Sequence, residues 1–95
     1  MAQQDDLLIF QFNQQKDTFR LIMLLYNNGR MYSSQVREFG MNDRTIMRAR
    51  TVLRELELIT ISSAEGSRRL YYDLTYKGRQ VAEKLLELER LLFSD

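Results

Sequence analysis

"MYSSQVREFGMNDRTIMRARTVLREL", Met31 to Leu56, is the stretch on which the fold turns. Its first part predicts a brief extended piece and then a short helix. Ser33 is expected as N-cap, with Val36 and Phe39 turned inward and Gly40 ending the helix in the left-handed conformation glycine tolerates. A second helix begins within two or three residues. Placing its residues at intervals of about 100° gathers Ile46, Ala49, Leu53 and Leu56 into one sector, the core face. Arg44, Arg48, Thr51 and Glu55 fall opposite. Met47 and Arg54 lie on one flank with Arg50 nearer the core edge, while Asn42, Asp43 and Thr45 crowd the N-terminal end.

Two helices joined by a short glycine-containing turn form the pattern of a helix-turn-helix, whose second helix is presented to a groove. Arg44 and Arg48 stack one turn apart at the end such a motif points into the DNA major groove. There an arginine gives a bidentate hydrogen bond to a guanine edge or a charge-assisted bond to a phosphate. An arginine-rich helix face is also what ordinary solvated charge looks like. Against that, no acidic residue of this helix lies four positions from Arg44 or Arg48, so neither has a ready partner within it. Arg50 is expected to pair with Glu57 or another helix and Arg54 to sit near Glu55 and Glu57, both in structural roles.

Toward the N-terminus, residues 5–28 read as helical, with Asn13 as the expected break and Asp17 or Asp5 as caps. Phe19, Ile22, Met23 and Tyr26 take the spacing of an inward face. Leu21, Leu24 and Leu25 fill much of the remainder, so this is expected to be a core helix buried on several sides, ended by "NNGR". Toward the C-terminus, "LITISS" and "RLYYDLT" flank "AEGSRR" and predict a two-stranded hairpin. Ile59 and Ile61 share one face of the first strand, and Leu70, Tyr72 and Leu74 one face of the second. Arg68 and Arg69 stand at its tip, placed for minor-groove insertion or phosphate clamping. Thr75 then caps a last helix along which Val81, Leu85, Leu88 and Leu92 form an apolar stripe, widened by Leu86, Leu91 and Phe93.

Composition narrows the chemistry. The 95 residues suit one domain, with a core over about 17–79 and the ends, 1–16 and 80–95, available to a second copy. Fourteen basic and 13 acidic residues nearly cancel, but residues 41–79 hold eight basic and five acidic side chains while both ends are acidic. That clustering builds a local positive field able to attract a polyanion. With no cysteine or histidine, thiol nucleophiles, imidazole bases and the usual zinc ligand sets are excluded, and no paired carboxylates or lysines accompany a phosphate-cradling loop. No enzyme, cofactor or metal is expected. "MAQQDD" has no basic n-region and no apolar run reaches the length of a membrane span, so a soluble cytoplasmic protein is expected.

The order helix, short strand, helix, turn, helix, hairpin, helix resembles the winged helix-turn-helix proteins of the PadR and MarR kind, including minimal archaeal and plasmid-encoded members. "RTIMRARTVLRELELITISS" and "RRLYYDLTYKGRQVAEKL" carry the resemblance. Within them "YDLTYKG" is similar to the place where the second wing strand meets the closing helix, with Gly78 allowing close packing. The fold it implies is mainly α with a small β-hairpin wing and a C-terminal dimerisation helix. The function it implies is sequence-selective binding of double-stranded DNA by a homodimer. The Asn42 to Thr51 face, including Asp43, Arg44, Thr45, Met47 and Arg48, becomes the recognition helix, Arg68 and Arg69 the wing contacts, and Ser33, Ser34 and Gln35 the backbone contacts.

Dimerisation also follows from the ends of the chain. The stripe of Val81, Leu85, Leu88 and Leu92 outruns a small core, and an uncovered apolar stripe marks a partner surface. Leu8 and Phe12 of the N-terminal "LLIFQF" are expected to join it. Two-fold symmetry then predicts an inverted-repeat DNA site. Three functions compete on these grounds: a transcriptional repressor, a plasmid-partition or architectural protein that spreads on DNA, and a protein-interaction module whose basic helix meets a further, acidic protein partner.

Overall fold

The computed structural model describes residues 16–63 and 65–93. Their order is α1 (Lys16–Asn28), β1 (Met31–Tyr32), α2 (Ser33–Glu38), α3 (Asp43–Glu55), β2 (Ile59–Ser63), β3 (Leu70–Leu74) and α4 (Tyr76–Phe93). Asp5, Leu8, Phe12 and Asn13 lie outside the described residues.

Helix α1 is the central helix, packed against α3, α4 and β3. Its buried face is Thr18, Leu21, Ile22 and Leu25. This corrects the expected inward set, since Phe19, Met23 and Tyr26 are only half-buried on the flanks. A helix apolar on nearly every side has no periodicity strong enough to set its phase, so its neighbours set it. Asp17 sits inside the first turn rather than at the cap. The helix stops where Gly29 adopts a φ of 76° and its N–H donates to the Leu25 carbonyl at 2.8 Å.

Strand β1 is two residues long, yet it changes both the sheet and α2. Met31 pairs with Tyr72 and Tyr32 with Tyr71, so the expected two-stranded hairpin is a three-stranded antiparallel sheet in the order β1–β3–β2. Because β1 holds Tyr32 extended, Tyr32 takes the cap position of α2 and Ser33 is already helical. Ser33 is therefore not the N-cap; instead Gln35 Oε1 accepts the Tyr32 N–H at 3.0 Å. Val36 is buried as expected, but Phe39 is exposed, because α2 ends at Glu38 and the chain turns at Gly40, where φ is 96°. The Arg20 guanidinium donates to the Phe39 carbonyl and holds that turn.

Helix α3 starts at an Asn42 cap whose side chain accepts the Thr45 N–H at 2.9 Å, and it buries Ile46, Ala49 and Leu53. Leu56 is half-buried at its end. There Leu58 N–H donates to the Leu53 carbonyl at 2.8 Å and Glu57 N–H to the Arg54 carbonyl at 2.9 Å. This is a Schellman closure, with Glu57 at φ 61° in the position usually given to glycine.

The ends of α3 and α4 are tied together at one point. Thr75 Oγ1 accepts the Gly78 N–H at 2.9 Å and donates to the Glu57 carbonyl at 2.7 Å, while Lys77 Nζ reaches the Leu56 carbonyl at 3.1 Å. Thr75 thus caps α4 as the sequence predicts. Gly78 permits the approach, because a Cβ there would stand 2.0 Å from the Leu58 carbonyl oxygen. The sheet lays Ile59 and Tyr72 fully into the core and packs Ile61, Leu70 and Leu74 against it. Beyond it α4 buries Ala82 and packs Val81 and Leu85 on the core, which extends past the expected limit of residue 79. The rest of the stripe is exposed, Leu88 by 50% and Leu92 by 67%. No described helix is long and apolar enough to cross a membrane.

Candidate nucleic-acid interface

The outer face of α3 presents Arg44, Met47, Arg48 and Thr51 to solvent. Among the described residues Arg44 and Arg48 make no hydrogen bond or ion pair. An exposed guanidinium without an internal partner keeps all five donors for an outside acceptor. Thr51 Oγ1 donates to the Met47 carbonyl at 2.8 Å, so its hydrogen is used within the helix. At the start of α3, Asn42 spends its side-chain oxygen on the cap and Thr45 is half-buried. Asp43 Oδ1 takes a bond from Arg37 Nη1 at 2.6 Å. Both partners are exposed, so the pair adds little stability, but it offsets a carboxylate that would otherwise repel an approaching phosphate.

Arg50 does not pair with Glu57. Its Nη1 donates to the Tyr72 hydroxyl at 3.0 Å, and that hydroxyl also meets Ser33 Oγ at 2.7 Å. One buried phenol thereby joins α3, β3 and α2. Arg54 forms no ion pair with Glu55 or Glu57 among the described residues; it stands in the last turn of α3, where a cation complements the free carbonyls.

The hairpin tip lies against the start of α2. A cleft opens between Tyr32, Ser33, Ser34 and Arg37 on one wall and residues 66–70 on the other. Gly66, at φ 75°, makes the turn, and the Arg69 N–H donates to Ser67 Oγ at 3.0 Å. The Arg69 guanidinium sits over the Tyr32 ring, 4.7 Å from its centroid. Arg68 makes no hydrogen bond or ion pair among the described residues, so the two tip arginines differ: one is braced, the other open. The Tyr32 and Tyr71 rings meet edge to face at 5.6 Å, and Arg30 stacks on Tyr71 at 5.7 Å while pairing with Asp73 at 2.7 Å. Two adjoining aromatic rings are thus flanked by a cation on either side across the outer face of the sheet.

Helix, strand, helix, turn, helix, hairpin and helix, with the second helix of the turn exposed and the hairpin beside it, match a solved structure of a Lactococcus lactis ZitR mutant in its apo form. The TM-score is 0.70 at 24% identity, covering 90% of this chain and 67% of that one. The fold is a winged helix. No family model matches the chain, and neither does any curated protein. In winged-helix terms, α3 is the second helix of the helix-turn-helix and the β2–β3 hairpin the wing. Ser33, Ser34, Arg68 and Arg69 come together across the cleft, whereas Gln35 is turned to the α2 cap. Sequence reasoning missed Tyr32 and Arg37; it gave Arg50 a structural role and Tyr72 an inward place, but not the bonds that join them to Ser33. The signal for that junction was Tyr72, since an inward tyrosine in a strand must find a partner for its hydroxyl. Among the described residues no cluster of acidic side chains could hold a metal ion.

Proposed function

We propose that this chain is a winged-helix protein of the PadR- or MarR-like kind that binds double-stranded DNA sequence-selectively as a homodimer, acting as a transcriptional repressor by occluding a promoter. The observation that carries this reading is the pair Arg44 and Arg48, exposed one turn apart on the second helix of the helix-turn-helix and without partners among the described residues. Their forked donors suit guanine O6 and N7 in the major groove. Met47 and the Thr51 methyl, beside them, suit thymine methyl groups. Asn42, Asp43 and Thr45 stand where the helix enters the groove, Ser33 and Ser34 meet the phosphate backbone while Gln35 supports them from the α2 cap, and Arg68 and Arg69 reach the flanking groove or its phosphates. The exposed Leu88 and Leu92, continuing the line of Val81 and Leu85, form the dimer contact together with Leu8 and Phe12. A two-fold dimer of such domains calls for an inverted repeat with half-sites about 10 bp apart.

Fluorescence-anisotropy titration of a mixed-sequence duplex at two salt concentrations tests the reading, with the Arg44→Ala, Arg48→Ala double variant alongside. Affinity that falls steeply with salt and is lost in the variant is the expected result, because each neutralised phosphate releases counterions. Wild type that ignores duplex DNA at low salt overturns it. A footprint that grows with protein concentration beyond one site would replace repression with an architectural role.

A further inference from the structure

Tyr72 is fully buried, and its hydroxyl meets Arg50 Nη1 of α3 at 3.0 Å and Ser33 Oγ of α2 at 2.7 Å. The direction of both bonds follows from the donor inventory. A guanidinium only donates, so the Tyr72 oxygen accepts from Arg50. Were Ser33 also to donate to that oxygen, the phenolic hydrogen would be buried with no acceptor among the described residues, which protein interiors avoid. Tyr72 therefore donates to Ser33 Oγ. The Ser33 hydrogen is then left with no internal acceptor among the described residues, and it belongs to a half-buried side chain on the wall of the cleft that faces Arg68 and Arg69. A hydroxyl held as a donor, opposite cations and at the end of a chain that a guanidinium polarises, fits an anionic oxygen.

We propose that Arg50 and Tyr72 are positioning residues that fix Ser33 as an outward hydrogen donor to a backbone phosphate of duplex DNA seated in the cleft between α2 and the wing. The proposal rests on the duplex-binding reading above and deepens it. Because the three residues lie on α3, β3 and α2, the same hydroxyl that orients Ser33 also registers the wing against the recognition helix. Groove contacts by α3 and the phosphate contact by Ser33 are thereby set at one spacing.

A double-mutant cycle on the full chain tests this: wild type, Ser33→Ala, Tyr72→Phe and the double variant, each titrated with a mixed-sequence duplex at low salt and each melted thermally. Either single change should weaken binding about tenfold, as expected for one hydrogen bond to a charged acceptor. The double variant should be no weaker than Ser33→Ala, since the Tyr72 hydroxyl acts on binding only through the Ser33 hydroxyl and has nothing to orient once that is gone. A Tyr72 that serves packing alone would lower the melting temperature and leave the affinity of the folded protein unchanged, and that outcome overturns the proposal. Additive losses in the double variant, or Ser33→Ala binding as wild type does, also overturn it. If Tyr72→Phe does not fold, Arg50→Met in the same cycle with Ser33→Ala takes its place, with coupling expected and additivity overturning. Wild type that fails to bind the duplex at all refutes the duplex-binding reading instead, so the two failures are distinguishable.

Discussion

Glu57 is the described non-glycine residue whose φ is positive, and it is held there by the two Schellman bonds that end α3. The left-handed conformation costs an L-residue about 1 to 2 kcal/mol, of which glycine's greater freedom in the unfolded chain takes back a part. Glu57→Gly is therefore expected to raise stability by about 0.5 kcal/mol, read as a higher urea midpoint at an unchanged slope. Gly78 gives the opposite sign. Alanine in a helix normally gains about 1 kcal/mol over glycine, but here the new methyl would meet the Leu58 carbonyl 2.0 Å away. Backbone cannot swing aside as a flexible side chain can, so Gly78→Ala should destabilise by about 1 to 3 kcal/mol in the same titration. The arginines separate by what they are positioned to touch. Arg44→Ala should cost about 1 to 3 kcal/mol on the preferred site and relax selection at one base pair, whereas Arg68→Ala should weaken all duplexes alike and flatten the salt dependence by about one unit. Selection from random DNA with each variant would expose the difference, and identical behaviour of the two would reassign Arg44 to the backbone.

At the scale of elements, legibility in the sequence followed the strength of local signals. The core face of α3 could be read because its apolar residues occupy one sector among arginines, and Ile46, Ala49 and Leu53 are indeed buried. The hairpin could be read from β-branched and aromatic runs around Gly66, and the start of α4 from Thr75. Helix α1 was recognisable as the central helix but not in its phase, since its chain offers leucine, isoleucine or methionine on almost every side. Strand β1 is too short to show alternation, and its existence depends on β3, some forty residues on. The extended piece itself was legible but its pairing with β3 was not, and the misplacement of Ser33 follows from that unseen pairing. The candidate site shows the same limit: exposed arginines are visible along a helix, but the Arg50–Tyr72–Ser33 chain joins residues 17 to 39 positions apart, a juxtaposition no periodicity reports. The junction of α3 and α4 offers an element-scale test. Thr75→Ala removes both the α4 cap and the bond to the Glu57 carbonyl, so it should cost about 1 to 2 kcal/mol and speed amide exchange at Gly78.

At the scale of the whole molecule, α4 does two jobs along its length. Its 18 residues run for about 27 Å at 1.5 Å per residue. The first half is bound into the core through Gly78, Val81, Ala82 and Leu85, whereas the second half carries Leu88, Leu91, Leu92 and Phe93 at exposures of 50% or more. Four large apolar side chains grouped at one helix end are unlike the scattered apolar residues of an ordinary surface, and a second copy of the chain would bury them twice over through a two-fold axis. The prediction is a dimer mass in light scattering at micromolar concentration, reduced to a monomer by the Leu88→Glu, Leu92→Glu double variant with its helical circular dichroism retained. Both positions are already open to solvent, so the charges should leave the fold intact. DNA binding should report the same change independently. On the proposed reading, two linked recognition helices would engage an inverted repeat with an effective concentration that a lone domain lacks, so the variant should lose affinity for the paired half-sites by at least tenfold while holding a single half-site as before. A monomeric wild type would remove the dimer and the inverted repeat together. It would leave the arginine face of α3, the wing and the Ser33 donor in place as a one-domain DNA contact.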